Sequence, residues 1–156
     1  MATPQRKTEL TLMTDVFGFP VILLNVPMVR CRGEWIADVD YNKIGEVLLR
    51  TLANKSARLS GNEVRFIRTS WKMTLAQFGR RFAVGHSAVI NWERSGDKPT
   101  SMEWATEKDI VLELLRRTGA DPEAFKAAYE ALASKRPAGK RTPTSLDISR
   151  ELKPAA

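Results

Sequence analysis

Three neighbouring polar side chains carry hydrogen-bonding groups of the kind that suit recognition of base edges. Ser87 and Asn91 are four residues apart, so a helix places them on one face. An asparagine amide donates to and accepts from adenine at once, and a serine hydroxyl can bond to any base. His86 precedes them and is a third candidate. We therefore predict that His86, Ser87 and Asn91 contact base edges, the alternative being an ordinary solvated helix face.

The residues before this segment predict a short amphipathic helix that positions it. Phe78 and Phe82 are one helical turn apart, with the very small Gly79 on the same face. Thr74, followed three residues later by Gln77, fits a capping box at the start of the helix. Glycine costs about 1 kcal/mol relative to alanine inside a helix. We therefore expect Gly79 to mark a close crossing of two helices.

A second helix is predicted after a break at Ala83-Val84-Gly85, because Val89 and Trp92 open a new apolar stripe. Two such helices form a helix-turn-helix. In that motif the second helix enters the major groove while the first lies across the DNA backbone. The residues predicted to form the core of the motif are Phe78, Gly79, Phe82, Val84, Val89 and Trp92.

The charge of the chain favours a polyanionic partner. Its formal net charge is +7 and its pI is near 9.9. Residues 60–98 contain seven Lys or Arg against three acids, and residues 135–156 contain six against two. The side chains predicted to contact DNA phosphates are Lys72, Thr74, Arg80, Arg81, Arg94 and Lys98. For Lys72, tolerance of a strained turn and a plain surface position remain as alternatives.

Several classes of protein are disfavoured by the composition. Cys31 is the one cysteine and His86 the one histidine, so we expect no internal disulfide, no Cys/His zinc site and no cofactor. A reducing, cytoplasmic location follows. The apolar run at residues 20–24 is far shorter than the ~20 residues of a membrane span, and no secretion signal is apparent. Neither Cys31 nor His86 lies in a catalytic motif, so we predict that the chain is not an enzyme.

The N-terminal part of the chain predicts a small sheet followed by a helix. Apolar and β-branched residues dominate 10–17 and 21–30, with a turn between them, and residues 35–39 suit a short third strand. Pro27 indicates a sheet edge or a bulge. The apolar spacing over 43–54 predicts a helix that covers the sheet.

The rest of the chain predicts further helices and a tail. Ser60 and Glu63 repeat the capping-box spacing, Ser101 begins a later helix, and Asp121-Pro122 begins a final one. The composition after residue 134 predicts disorder; its charge adds affinity for DNA or is inert. The predicted fold class is α+β, with a β-rich module plus helix at 1–58 for dimerisation or partner binding, a helix-turn-helix DNA-binding domain at 59–133 and a basic disordered tail at 134–156.

The order of the motif residues resembles the Xre/Cro family of DNA-binding domains. The residues that carry the resemblance are Thr74, Gly79, Ala83-Val84-Gly85, Trp92-Glu93-Arg94-Ser95 and Pro99. The resemblance implies a helical fold that reads operator DNA. Leu75 stands where the family often has a phosphate-binding Gln, and Gly85 stands where it usually has a turn serine.

The wider layout, with residues 59–68 leading into the motif, resembles the MqsA (YgiT-type) antitoxin family. In that family an N-terminal module binds zinc through two Cys-x-x-Cys pairs, and this half does not carry over to the chain. The resemblance implies a toxin partner and binding to a palindrome in the promoter of the chain's own operon. The family's base-reading positions fall on Ser87 and Asn91, the second of which is commonly Arg in the family. Residues 26–34 resemble the strand leading into a second cysteine pair, but Cys31 has no partner. Either the module has lost its metal and kept its shape, or this likeness is accidental.

The leading hypothesis is a sequence-specific, homodimeric DNA-binding regulator, an antitoxin-like autorepressor on a palindromic operator. A second hypothesis makes the chain chiefly an inhibitor that neutralises a toxin protein through residues 1–58. A third is a phage or mobile-element regulator without a toxin. An enzyme is the least favoured class.

Overall fold

A computed structural model of the chain describes residues 3–139 and 143–152. Within them it contains a four-stranded sheet and seven helices, so the predicted α+β class is confirmed. These residues form two compact units, one comprising 3–47 with 143–152 and the other 48–139. The division falls inside the first helix, whereas the sequence placed the boundary after residue 58.

The first unit is built on a mixed sheet, in which the first three strands are antiparallel and a fourth is parallel to its neighbour. Its first strands are β1 (Arg6–Thr14), β2 (Val21–Cys31) and β3 (Glu34–Ala37), in the spatial order β1-β2-β3. Gly18 and Gly33 lie in the two connecting turns with φ of 92° and 85°, a left-handed backbone that glycine adopts without steric cost. The predicted hairpin and the short third strand are therefore present.

The residues of β2 that face the core change from odd-numbered to even-numbered positions at Asn25. The buried side chains of this strand are Val21, Leu23, Val26 and Met28. Their alternation shifts by one residue at Asn25, where φ is 55°. The Asn25 amide donates to Asp147 Oδ1 at 3.1 Å, which helps to hold this unusual conformation. Both halves of the strand thus present apolar side chains to the core.

Pro27 lies in the central strand and not in an edge strand. On the side of β2 away from β1, however, the partner changes around this residue. Residues 21–24 pair with a strand from the end of the chain, while residues 28–31 pair with β3. Pro27 falls between the two pairings, and its carbonyl accepts from the Asp38 N–H at 2.7 Å. The missing proline N–H is tolerated at such a gap.

The disorder predicted for residues 134–156 is wrong for the segment that includes strand β4 (Thr144–Asp147) and a short final helix at Ile148–Glu151. β4 runs parallel to β2, with Leu146 beside Leu23. Leu146 and Ile148 are both buried. Few apolar residues surround them in the sequence, so order here depends on a distant strand. Residues 140–142 and 153–156 lie outside the described part of the chain.

The second unit is helical. Its helices, beginning with the one that the division crosses, are α1 (Tyr41–Ala53), α2 (Gly61–Ser70), α3 (Leu75–Arg81), α4 (His86–Glu93), α5 (Trp104–Arg117) and α6 (Pro122–Ala131). We number the final short helix α7. Reciprocal capping boxes at Ser60 with Glu63 and at Thr74 with Gln77 confirm those predictions. Asp121 caps α6 as expected.

Helix α5 begins at Trp104, so the predicted start at Ser101 is wrong. The residues just before it are extended, because Thr100 donates its N–H to the Leu59 carbonyl at 3.2 Å. Pro99 forms an isolated antiparallel bridge with Ser60. Pairing with the segment before α2 therefore delays the helix.

The segment after α6 is also held by hydrogen bonds. Arg136 donates to the Ala53 carbonyl at 3.1 Å, and the Arg58 N–H donates to the Pro137 carbonyl at 2.9 Å. Arg58 lies in turn against the fully buried Glu107, with its Nε 3.3 Å from the carboxylate. Burial raises the Glu107 pKa, and the charges of Arg58 and Arg136 oppose that rise. The start of the predicted tail is thus anchored to the second unit.

Glu113 ties α3 to α5. Its carboxylate is almost fully buried and accepts from Arg116 at 2.7 Å, Arg117 at 2.9 Å and Arg81 at 3.0 Å. The hydrogen bond from Arg116 is the largest cause of a Glu113 pKa lowered to about 2, and Arg117 and Arg81 act in the same direction. A carboxylate shared by three guanidinium groups is a strong constraint on the position of α3.

We expect Glu113→Gln to lower the free energy of unfolding at pH 7 by about 3 kcal/mol, the equivalent of the pKa shift. The folded-state pKa lies below the ordinary value of 4.5, so this stabilisation is present above that pH and is lost as the pH falls towards 2. Urea unfolding at several pH values measures it, and the variant should show a flatter acid dependence. Asp109→Asn is the control, because Asp109 is half exposed and 3.6 Å from Arg81. Equal acid dependence in wild type and Glu113→Gln would contradict the assignment.

Candidate nucleic-acid interface

The turn between α3 and α4 is built against Gly79. A Cβ atom at this residue would lie 2.6 Å from the Val84 carbonyl oxygen and 3.2 Å from the Gly85 carbonyl carbon. The Val84 N–H donates to the Gly79 carbonyl at 2.8 Å, and Ala83 closes the turn with φ of 59°. The sequence predicted a close crossing of two helices. The structure instead places the backbone of the turn against Gly79.

An aromatic and aliphatic core holds the two helices together. Phe78, Phe82, Val89 and Trp92 are buried, whereas Val84 is only half-buried. The Phe78 and Phe82 rings meet edge to face with centroids 4.8 Å apart. Such pairs add to the stabilisation from area burial. One face of α4 therefore packs in the interior, and the helix cannot rotate about its axis without exposing Val89 and Trp92.

The far end of α4 is fixed by α2. Gly61, the first residue of α2, lies very close to the end of α4. A Cβ atom at Gly61 would be 2.9 Å from both the Glu93 carbonyl oxygen and the Gly96 nitrogen. Arg68 donates to both carboxylate oxygens of Glu93, at 2.6 and 3.3 Å, and to the Met73 carbonyl at 3.0 Å. Both side chains of this ion pair are about one-eighth exposed. Sequence reasoning missed this pair, for which the one available signal was a glutamate inside the Trp-Glu-Arg motif.

All three predicted base-reading side chains are exposed on α4. His86 and Ser87 occupy its first turn, and Asn91 lies one turn after Ser87 on the same face. Gly85 occupies the N-cap position with φ of −74° and supplies no side-chain acceptor to the helix. The structure thus places the three residues at the exposed surface of one helix.

The predicted phosphate-contacting residues fall into two groups. Lys72, Thr74, Arg80, Arg94 and Lys98 are exposed, and they lie in the turn before α3, at its start, near its end, and after α4. Arg81 differs, because Glu113 holds its guanidinium at 3.0 Å and the Phe82 ring lies 4.9 Å from it. Lys72 has φ of 56°, which places a bulky side chain on a left-handed backbone.

The described residues contain no group of three or more His, Cys, Asp or Glu that could hold a metal ion. Among the helices in the same part of the chain, none has the length and apolar character needed to cross a membrane. Cys31 is exposed at the end of β2. The exposed polar side chains of α4 and the cations beside them are the candidate site.

We expect Gly79→Ala to lower the free energy of unfolding by roughly 1–3 kcal/mol, because the new methyl group must displace the backbone of the turn. This loss exceeds the gain of about 1 kcal/mol in helix propensity. Thermal and urea denaturation measure the difference. Gly85→Ser is the matched control six residues away: nothing lies within 4 Å of its Cβ position, and serine adds an N-cap to α4. A more stable Gly79→Ala variant would show that the contact is not tight.

Comparison of the chain with protein-family models, curated proteins and solved structures finds no significant match. The resemblance to Xre/Cro domains and to MqsA-type antitoxins therefore rests on the residues of the chain alone.

Proposed function

We propose that the chain is a sequence-specific DNA-binding regulator of transcription that inserts α4 into the major groove. The observation that carries the proposal is the exposure of Ser87 and Asn91 on a helix whose opposite face, with Val89 and Trp92, is fixed in the core. A side chain reads a base edge only if its backbone is held in register. Gly79 at one end of α4 and the pair of Arg68 with Glu93 at the other supply that rigidity.

Exposed cations around α4 suit the phosphate contacts that orient such a helix. We assign this role to Lys72, Arg80, Arg94 and Lys98, with the Thr74 hydroxyl as a further donor. Arg81 is left out, because Glu113 already holds its guanidinium and release of the pair costs stability. This division leaves a basic surface at the helix ends and a neutral polar surface on α4 itself.

The proposed mechanism is steric. Two copies place their α4 helices about 34 Å apart on half-sites one helical turn from each other. A palindromic operator occupied in this way is closed to polymerase, and an operator in the chain's own promoter makes the protein an autorepressor. A cytoplasmic location follows from the proposed partner. Neutralisation of a toxin through residues 1–58 remains a prediction from resemblance.

Footprinting on the DNA upstream of the chain's own reading frame tests the proposal directly. We expect a protected palindrome that is bound at least about a thousandfold more tightly than random duplex. Asn91→Ala and Ser87→Ala should each cost roughly 1–3 kcal/mol at the operator and little on random DNA. Asn42→Ala, an exposed asparagine on α1, is the control and should change neither. Equal affinity of the wild type for operator and random duplex would exclude sequence-specific regulation.

Glycine variants at Lys72 and Ala83 separate the effect of backbone strain from the effect of the lysine charge. Both have left-handed backbones, with φ of 56° and 59°. Lys72→Gly and Ala83→Gly should therefore each stabilise the fold by about 1 kcal/mol in urea unfolding. We expect Lys72→Gly alone to weaken DNA binding and to reduce its salt slope by roughly one unit. If Lys72→Gly leaves the salt slope of DNA binding unchanged, Lys72 makes no phosphate contact and is an ordinary surface residue.

A further inference from the structure

The sheet of the first unit leaves one of its faces open. In register across the strands, Met13 lies beside Ile22, and Val29 lies beside Ile36, with Leu24 between them along β2. We call these five residues the outer face. Met13 is 63% exposed and Ile36 is 47% exposed, and the other three are half-buried. The opposite face of β2 is buried in the core, so the outer face is a continuous apolar stripe on the surface.

The charge around this stripe is balanced, unlike that of the rest of the chain. Residues 3–39 contain four basic and four acidic side chains, so their formal charge is zero, whereas residues 60–98 carry +4. The charged residues in register with the outer face are Arg6, beside Val29, and Asp147, beside Leu24, one of each sign. A surface of this kind has no net electrostatic attraction for a polyanion.

A second copy of the same chain fits these properties. Two molecules of net charge +7 repel each other, so they associate best through a surface that carries no net charge. A two-fold axis presents the same patch on both molecules. It can therefore set Arg6 of one copy near Asp147 of the other while the apolar stripes meet, which makes the patch self-complementary in charge. Two sheets that pack face to face bury such a stripe as a shared core.

We propose that the outer face is the homodimer interface of this protein. The inference deepens the proposed function, which requires two copies on one operator, by naming the surface that joins them. It places dimerisation on the sheet and leaves the polar surface of α4 to DNA. The interface is formed by the first unit of each chain and includes Met13 and Ile36 at opposite ends of the stripe.

Sedimentation velocity of the full chain without DNA, over a wide range of protein concentrations, tests the interface. We expect a monomer–dimer equilibrium for the wild type. Met13→Lys and Ile36→Lys should each raise the dimer dissociation constant at least tenfold, roughly the effect of a charge replacing a buried apolar side chain. Tyr129→Lys is the control, because Tyr129 is 57% exposed on α6. Circular dichroism and urea midpoints establish that each variant folds, and Met13→Ala replaces Met13→Lys if the latter does not.

A wild type that stays monomeric at every concentration would overturn the proposal. So would a dimer that Tyr129→Lys weakens as much as Met13→Lys does. Because the assay contains no DNA, its result is independent of base reading. A dimer sensitive to Met13 and Ile36 but lacking operator preference would refute the proposed function and leave the interface standing. Operator binding by a dimer whose dissociation constant does not respond to Met13→Lys or Ile36→Lys would support the proposed function and refute the interface.

Discussion

The close approach of the Val84 carbonyl to the Cα of Gly79 is the constraint on which the candidate site depends. It fixes the turn between α3 and α4 to one short path. That path sets where α4 begins, and therefore where His86 and Ser87 point. Gly61 imposes the same kind of limit at the other end, where the backbone of α4 passes directly over the start of α2. The polar surface of α4 is held from both ends by contacts that leave no space for a side chain.

Two roles divide the charged residues of the second unit. Arg68 with Glu93 and Arg81 with Glu113 are partly or largely buried pairs that join separate helices. They position the site, and their guanidinium groups are already held by carboxylates. Lys72, Arg80, Arg94 and Lys98 are exposed, and they supply the field that a polyanion would meet. Residue type alone does not distinguish the two groups, because an arginine serves equally well in either role.

The first unit brings together the two ends of the chain. β4 pairs in parallel with β2 beyond the reach of any local interaction, and the ordering of Leu146 and Ile148 depends on that pairing. The same sheet carries balanced charge and an open apolar face, whereas the basic excess within the described residues lies around the helices. In the proposals above, this separation gives self-association and DNA binding to different surfaces, so that one does not compete with the other.

The local elements were determined by the sequence itself. Capping boxes at Ser60 and Thr74, the hairpin turn at Gly18 and the cap at Asp121 depend on neighbours a few residues away, and all are present. The exposed positions of Ser87 and Asn91 follow from helical spacing in the same way. The later start of α5, the order of β4 and the pairing of Arg81 with Glu113 were decided by the tertiary structure. Each depends on a partner more than thirty residues distant in the chain, and no local pattern records which distant group will be there.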